Sequence, residues 1–261
     1  MSAIAFTIGP LTVRWYAILI VSGIILAILI SWRLALRHNI NFDYLLDLAL
    51  VAVPLGLVGA RLYYVIFNWP YYSANPAKII AIWHGGLAIH GAILAGALVL
   101  FFMSRRQGIA FRLWGDIITP GLILAQAIGR WGNFFNQEAY GYETDLPWAM
   151  FIDGAYRHPT FLYESIWDAL GFCLLLTLTL RRPRAMRHTG DIAACYLIYY
   201  SCGRFCIEHF RTDSLMLGPL QMAQVISIIG VAAGILLLCV NRFRPAPDQL
   251  TKSNSQTIQK R

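Results

Sequence analysis

The chain has 261 residues, 58% of them hydrophobic and only 13% charged, with a formal net charge of +8. Soluble domains carry about 45–50% apolar and about 25% charged residues, so this balance excludes disorder, collagen, a coiled coil and a disulfide scaffold, and marks an integral membrane protein. The basic residues cluster in short loops between apolar blocks, where they act as topology signals and not as a nucleic-acid surface.

The apolar blocks predict an all-α integral membrane protein with seven transmembrane helices, at 15–32, 44–67, 86–103, 113–129, 159–180, 191–207 and 219–240. Most are near the length of about 17–25 residues that crosses a bilayer. The first block is followed by Trp32-Arg33 and shows no small-x-small cleavage site, so it is expected to stay as a span and not leave as a signal peptide. Tyr16 opens it. Arg61 falls near the end of the second span, and His90 a few residues into the third, beside Gly85, Gly86, Gly91 and Gly96.

The fourth block is short and runs into Gly129-Arg-Trp-Gly-Asn-Phe-Phe-Asn-Gln-Glu-Ala-Tyr-Gly141. Arg130, Asn133, Asn136 and Glu138 stand there among three glycines, a composition that predicts an irregular polar stretch at the membrane surface. The fifth span carries Glu164 near its start and Asp168 deeper in. In the sixth, Tyr200, Arg204, Glu208 and Arg211 are spaced four, four and three apart and so share one helical face.

Fourteen of the 21 Lys and Arg residues fall in loops 33–43, 104–112 and 181–190 or in the tail, which predicts an N-terminus outside and a C-terminus in the cytoplasm. Residues 1–244 then form a single seven-span domain, with an external loop at about 130–158. Residues 245–261 are a polar tail expected to be disordered. On this topology Tyr16, Arg61, His90, Arg130, Glu164, Tyr200, Arg204 and Glu208 all lie in the outward half of the membrane.

Buried ionisable groups in lipid are costly and mark functional sites. One cavity open to the outer leaflet would explain them all. Arginine suits a phosphate ligand because its planar fork offers paired donors and stays charged. The alternative is a set of structural ion pairs holding helices together. His90 titrates in a range suited to a general base, whereas a lone buried histidine can also be a packing residue.

The five cysteines all lie in apolar blocks without a CxxC pair, and are expected as small packing residues. No HExxH, GxSxG or Walker loop is present, nor a carboxylate cluster suited to a metal. No lysine lies in any predicted span. A lipid or anion transporter could use the same arginine-lined cavity, but its polar residues would continue to the cytoplasmic half. Here Asp168 is the main candidate at mid-depth, with Asp47 and Asp116 at the inner boundary.

At these residues the sequence resembles the bacterial prolipoprotein diacylglyceryl transferases. The segment Gly129–Gly141 is similar to that family's signature. Arg14-Trp-Tyr16, Gly59-Ala-Arg-Leu-Tyr-Tyr64, Gly85-Gly-Leu-Ala-Ile-His-Gly91, His158-Pro-Thr-Phe-Leu-Tyr-Glu164, Arg204-Phe-Cys-Ile-Glu208 and Met222-Ala-Gln-Val-Ile-Ser227 recur in its order over about residues 9–230.

The resemblance implies a multi-pass enzyme of the bacterial cytoplasmic (inner) membrane, its active site facing the outer leaflet. It would move the diacylglyceryl group of phosphatidylglycerol to the lipobox cysteine thiol at the signal peptide of a prolipoprotein, releasing glycerol phosphate. It implies His90, Arg130 and Arg204 as catalytic residues. Substrate contacts are expected from Arg130, Asn133, Glu138, Tyr16, Arg61, Tyr200 and Glu208, with no cofactor, metal or nucleic-acid partner. Two departures stand out. The external region is compressed to 142–157, and Ala92 stands where many members carry a second glycine after the histidine.

Overall fold

The computed structural model describes residues 2–9, 11–214, 216–217 and 219–243; the predicted tail at 245–261 lies outside them. The elements are β1 (Ile4–Ile8), β2 (Leu11–Arg14), α1 (Trp15–Leu36), α2 (Phe42–Phe67), α3 (Trp69–Ala74), α4 (Ile89–Gln107), α5 (Phe111–Asn136), β3 (Met150–Ile152), β4 (Ala155–Arg157), α6 (Thr160–Arg181), α7 (Asp191–Glu208), β5 (Met216–Leu217), β6 (Leu220–Gln221) and α8 (Met222–Arg242). Among the described residues five helices, α1, α2, α4, α6 and α8, are long and apolar enough to cross a membrane. α5 and α7 have 26 and 18 residues and carry more polar side chains.

The distribution of side chains is inverted relative to a soluble domain. Val21, Ile25, Leu50, Ile66, Ile93, Leu98, Phe102, Ile228, Ile229 and Leu236 are exposed, while Arg61, Glu164, Asp168, Asp191, Glu208 and Asn241 are buried. Hydrocarbon supplies no hydrogen bonds, so polar groups turn inward and apolar ones outward. Four of the five cysteines, Cys173, Cys202, Cys206 and Cys239, are exposed on this apolar surface. That differs from the expected packing role.

The chain divides into two units, residues 32–114 and the remainder (1–31 with 115–261). In the larger unit, small residues set the helix contacts, as they do where no hydrophobic effect drives helices together. A Cβ on Gly23 would meet Ala125, one on Gly121 would meet Ala27, and one on Gly132 would meet the Tyr16 ring. These pairs step in opposite directions, so α1 and α5 run antiparallel. Gly203 faces Trp167 and Gly171 faces Tyr199, which packs α6 against α7. Trp167 Nε1 donates to the Tyr199 carbonyl at 3.1 Å, and Tyr199 OH donates to the Trp167 carbonyl at 2.9 Å. Gly230 and Gly234 seat α8 on Ser201, Ala194 and Ile198 of α7.

In the 32–114 unit, Gly59 of α2 and Gly91 of α4 meet backbone to backbone. Gly85 and Gly86 adopt φ of 84° and 74°, a region that glycine enters freely. The turn they make delays α4 to Ile89 against an expected start at 86.

Two further features differ from the sequence reading. The fourth span was expected to end at 129 in an irregular stretch, yet α5 stays helical to Asn136. Trp131 and Phe134 pack their rings on Phe161, Trp15 stacks on Phe135, and Trp131 Nε1 donates to Ser165 Oγ, so tertiary packing overrides the local glycines. The helical fold also carries three two-stranded hairpins, β1–β2, β3–β4 and β5–β6. The second turns on Asp153-Gly154, with φ of 48° and 82°, as a two-residue hairpin loop requires.

Candidate active site at one end of the larger unit

Three helix ends converge: the last two turns of α5, the first turn of α6 and the last turn of α7. Each contributes one or two charges. Glu164 of α6, with 4% of its side chain exposed, accepts from arginines on α5, on α7 and just past the end of α7. Its Oε2 lies 2.5 Å from Arg130 Nη2, and its Oε1 lies 2.7 Å from Arg204 Nη1 and 3.2 Å from Arg211 Nη1. Glu208, one helical turn after Arg204, binds Arg204 Nη2 at 2.6 Å and stands 3.8 Å from Arg211 Nε. Arg211 closes on Asp213 with two hydrogen bonds of 3.0 and 2.9 Å.

Arg130 reaches Tyr200 OH at 3.4 Å through the same Nη2 that meets Glu164. Among the described residues its Nη1 and Nε donate to no protein group, so part of the fork stays open. Tyr200 stacks on Tyr196, whose hydroxyl donates to Gln126 Oε1 at 3.2 Å. Gln126, Arg130 and Asn133 follow one another on α5 at spacings of four and three, one face of a helix. Asn133 is half-buried and its side chain has no protein partner among the described residues. Asp168, one turn below Glu164, is buried with Oδ2 unpaired among the described residues.

Tyr16, over Gly132, borders this cluster from α1. Glu138 is exposed and accepts from Asn136 Nδ2 at 3.1 Å, beyond the end of α5. Gln137 and Ala139 flank it with φ of 52° and 56°, a left-handed conformation costly outside glycine and frequent near functional sites. The segment is tied back by Thr160 Oγ1 donating to the Ala139 carbonyl, Gly141 N to His158 O at 3.0 Å and Tyr142 N to Phe210 O at 3.0 Å.

The sequence reading set Arg130, Glu164, Tyr200, Arg204 and Glu208 in the outward half of the membrane, and the structure brings these five into one network. It gave Glu164 and Arg211 no substrate or catalytic part, although Glu164 stands in the His158-to-Glu164 motif and Arg211 continues the Tyr200–Arg204–Glu208 spacing. Arg211 lies past the end of α7 and still reaches both glutamates.

The other two expected residues lie in the 32–114 unit. His90 is half-buried near the start of α4, its ring 5.7 Å from that of Tyr63, and makes no hydrogen bond among the described residues. Arg61 has different partners from those expected. Its Nε donates to Ile79 O at 2.8 Å, Nη1 to Gly85 O and Gly86 O at 2.7 Å each, and Nη2 to Lys78 O at 2.6 Å and Ala81 O at 3.3 Å. All three guanidinium nitrogens are spent on main-chain carbonyls, because the 78–86 turn leaves these acceptors without a regular helix.

The arrangement is suited to an anion. Carboxylates orient the guanidiniums, and fixed donors in a dry site act strongly on charge that develops there. The family profile described as "Prolipoprotein diacylglyceryl transferase" matches residues 3–240. The chain is 50% identical over 250 residues to the phosphatidylglycerol–prolipoprotein diacylglyceryl transferase of Streptococcus mutans serotype c, covering 93% of this chain and 96% of that protein. It is 48% identical to the protein so named from Streptococcus agalactiae serotype Ia, with the same coverage. With the one from Streptococcus pneumoniae strain Taiwan19F-14 it shares 46% identity over 263 residues, 98% of this chain and all of that protein. The chain belongs to the prolipoprotein diacylglyceryl transferase family.

Proposed function

We propose that this protein transfers the diacylglyceryl group of phosphatidylglycerol to the lipobox cysteine of a prolipoprotein. The observation that carries this reading is the near-full-length relation to proteins named for that activity. In the reaction, the thiolate sulfur forms a bond to the glycerol carbon that carries the phosphate. The carbon–oxygen bond breaks, its electron pair stays on the phosphate oxygen, and glycerol phosphate leaves. The thiol proton passes to a base.

Arg130 and Arg204 hold the phosphate, and their charge is worth most as negative charge grows on the leaving oxygen. Glu164 and Glu208 fix the two guanidiniums, which removes the need to order them at the moment of reaction. Tyr200 supports Arg130, and Tyr16, Asn133 and Glu138 meet the glycerol headgroup. His90 takes the thiol proton; a free thiol has a pKa near 8.5, so a base raises the thiolate fraction at neutral pH. Arg61 braces the turn ahead of His90. The same reading sets seven spans in the bacterial cytoplasmic membrane, N-terminus outside, with the site toward the outer leaflet from which both substrates arrive.

The test is mass spectrometry of a lipobox peptide incubated with the purified protein and phosphatidylglycerol. The expected result is a gain of one diacylglyceryl mass, absent when the peptide cysteine is replaced by serine. No gain, from folded protein alongside an active control enzyme in the same detergent, overturns the reading.

A further inference from the structure

A cavity of about 540 Å³ opens between the start of α2 and the end of α4, within the 32–114 unit. Its lining changes character along the helices. Tyr44 and Asp47 from the first turns of α2, and Arg106 and Gln107 from the last turn of α4, form the polar end; Leu50 and Met103 line the part further into the helices. This gradient matches a phospholipid, with its headgroup at the membrane surface and the first carbons of its chains below.

The charges specify the headgroup. Asp47 stands on one helix and Arg106 on the other, both exposed and both lining the cavity. Among the described residues neither forms an ion pair, with the other or with any third group. Gln107 is held in place by Nε2 donating to the Tyr44 carbonyl at 2.9 Å, while its Oε1 is buried and has no donor. An anionic lipid would pair with Arg106 and face Asp47 as a like charge. A headgroup carrying an ammonium beside its phosphate pairs with both walls, the phosphate on Arg106 and the ammonium on Asp47, with Gln107 Oε1 able to accept from it.

We infer that the α2–α4 cavity binds a zwitterionic aminophospholipid, of the phosphoethanolamine class, in the leaflet where α2 begins and α4 ends. The inference rests on the membrane character of the chain and not on the proposed transfer reaction. Its failure and the failure of that reading are therefore separate results.

The experiment is native mass spectrometry of the full chain released from vesicles of equimolar phosphatidylethanolamine and phosphatidylglycerol, counting the adducts of each lipid separately because the arginine cluster would hold phosphatidylglycerol of its own. The expected result is one phosphatidylethanolamine retained per chain. Asp47→Asn should lower that adduct about fivefold, the scale of one partly screened charge pair, and Arg106→Gln should lower it too, while the phosphatidylglycerol adduct stays as in the wild type. Asp47 is exposed, so Asp47→Asn should keep the wild-type melting temperature and unchanged transfer to the lipobox peptide. No phosphatidylethanolamine adduct on the wild type, or an undiminished one on folded Asp47→Asn, overturns the proposal.

Discussion

Glu164 shares two oxygens among three guanidiniums, and this makes its charge harder to replace than that of any one arginine. Glu164→Gln keeps the volume and removes the charge, leaving Arg130, Arg204 and Arg211 facing one another with Glu208, Asp213 and, one turn below, Asp168 as the remaining acids. Breaking a buried ion pair from one side costs about 3–5 kcal/mol. The variant should therefore melt at lower temperature and lose most of its turnover, whereas Glu164→Asp should recover more stability than turnover, since a shorter carboxylate keeps the charge but misplaces the fork. A Glu164→Gln protein with wild-type melting and kinetics would show that the network does not position the arginines. Arg61 makes the opposite case. Each buried carbonyl left without a donor costs about 1–3 kcal/mol, and one lysine ammonium cannot serve five of them. Arg61→Lys should lower the melting temperature while the KM for phosphatidylglycerol, measured on the folded fraction, stays put. A raised KM with unchanged melting would return Arg61 to the substrate.

At the scale of elements, glycine placement decides which helices touch, and the contrast within α4 gives a controlled test. A Cβ on Gly91 would collide with the Gly59 carbonyl and with Tyr63, whereas one on Gly96 meets nothing within 4 Å. Gly91→Ala should destabilise by roughly 1–3 kcal/mol through overpacking, and Gly96→Ala should leave thermal melting in detergent unchanged or slightly raised. Equal effects would mean that the α2–α4 contact is not set by the glycine pair. The five long apolar helices were legible in the sequence because length and apolarity suffice to define them, and α1, α2 and α6 fall where those blocks stand. The end of α5 was not. Gly129, Gly132 and the asparagines signal a loop locally, and the packing of Trp131, Phe134 and Phe161 that holds the helix together is a tertiary fact. The β3–β4 hairpin has a local signal in Asp153-Gly154 between short β-prone segments, one that apolar block length does not register. Glu164 was seen as a charge near a span end, yet no spacing rule in one chain reveals that three distant arginines converge on it.

At the scale of the whole molecule, the larger unit carries polar networks at both ends of α7. Opposite the arginine cluster, Asp116 accepts from Gly190 N at 2.7 Å and Ala193 N at 3.0 Å and so caps the start of α7, while Asp191 accepts from Asn241 at 2.9 Å. The 18 residues between those ends span roughly 27 Å at 1.5 Å per residue, close to a hydrocarbon core of about 30 Å. On the proposed topology each network meets one membrane surface, and the arginine-rich loop 181–187 beside Asp116 makes that end the cytoplasmic one expected from the positive-inside rule. α6 is the one long helix between Asp153, in the turn of the β3–β4 hairpin, and Arg184, and both residues are exposed. A membrane-impermeant maleimide requires a thiolate in water, so Cys173, Cys202 and Cys206, lying within the apolar surface of α6 and α7, should contribute little background. Asp153→Cys should then be labelled in intact cells and Arg184→Cys only after lysis. The reverse pattern would invert the orientation and put the arginine cluster on the wrong side for secreted substrates, and labelling of both from one side would remove α6 as a crossing.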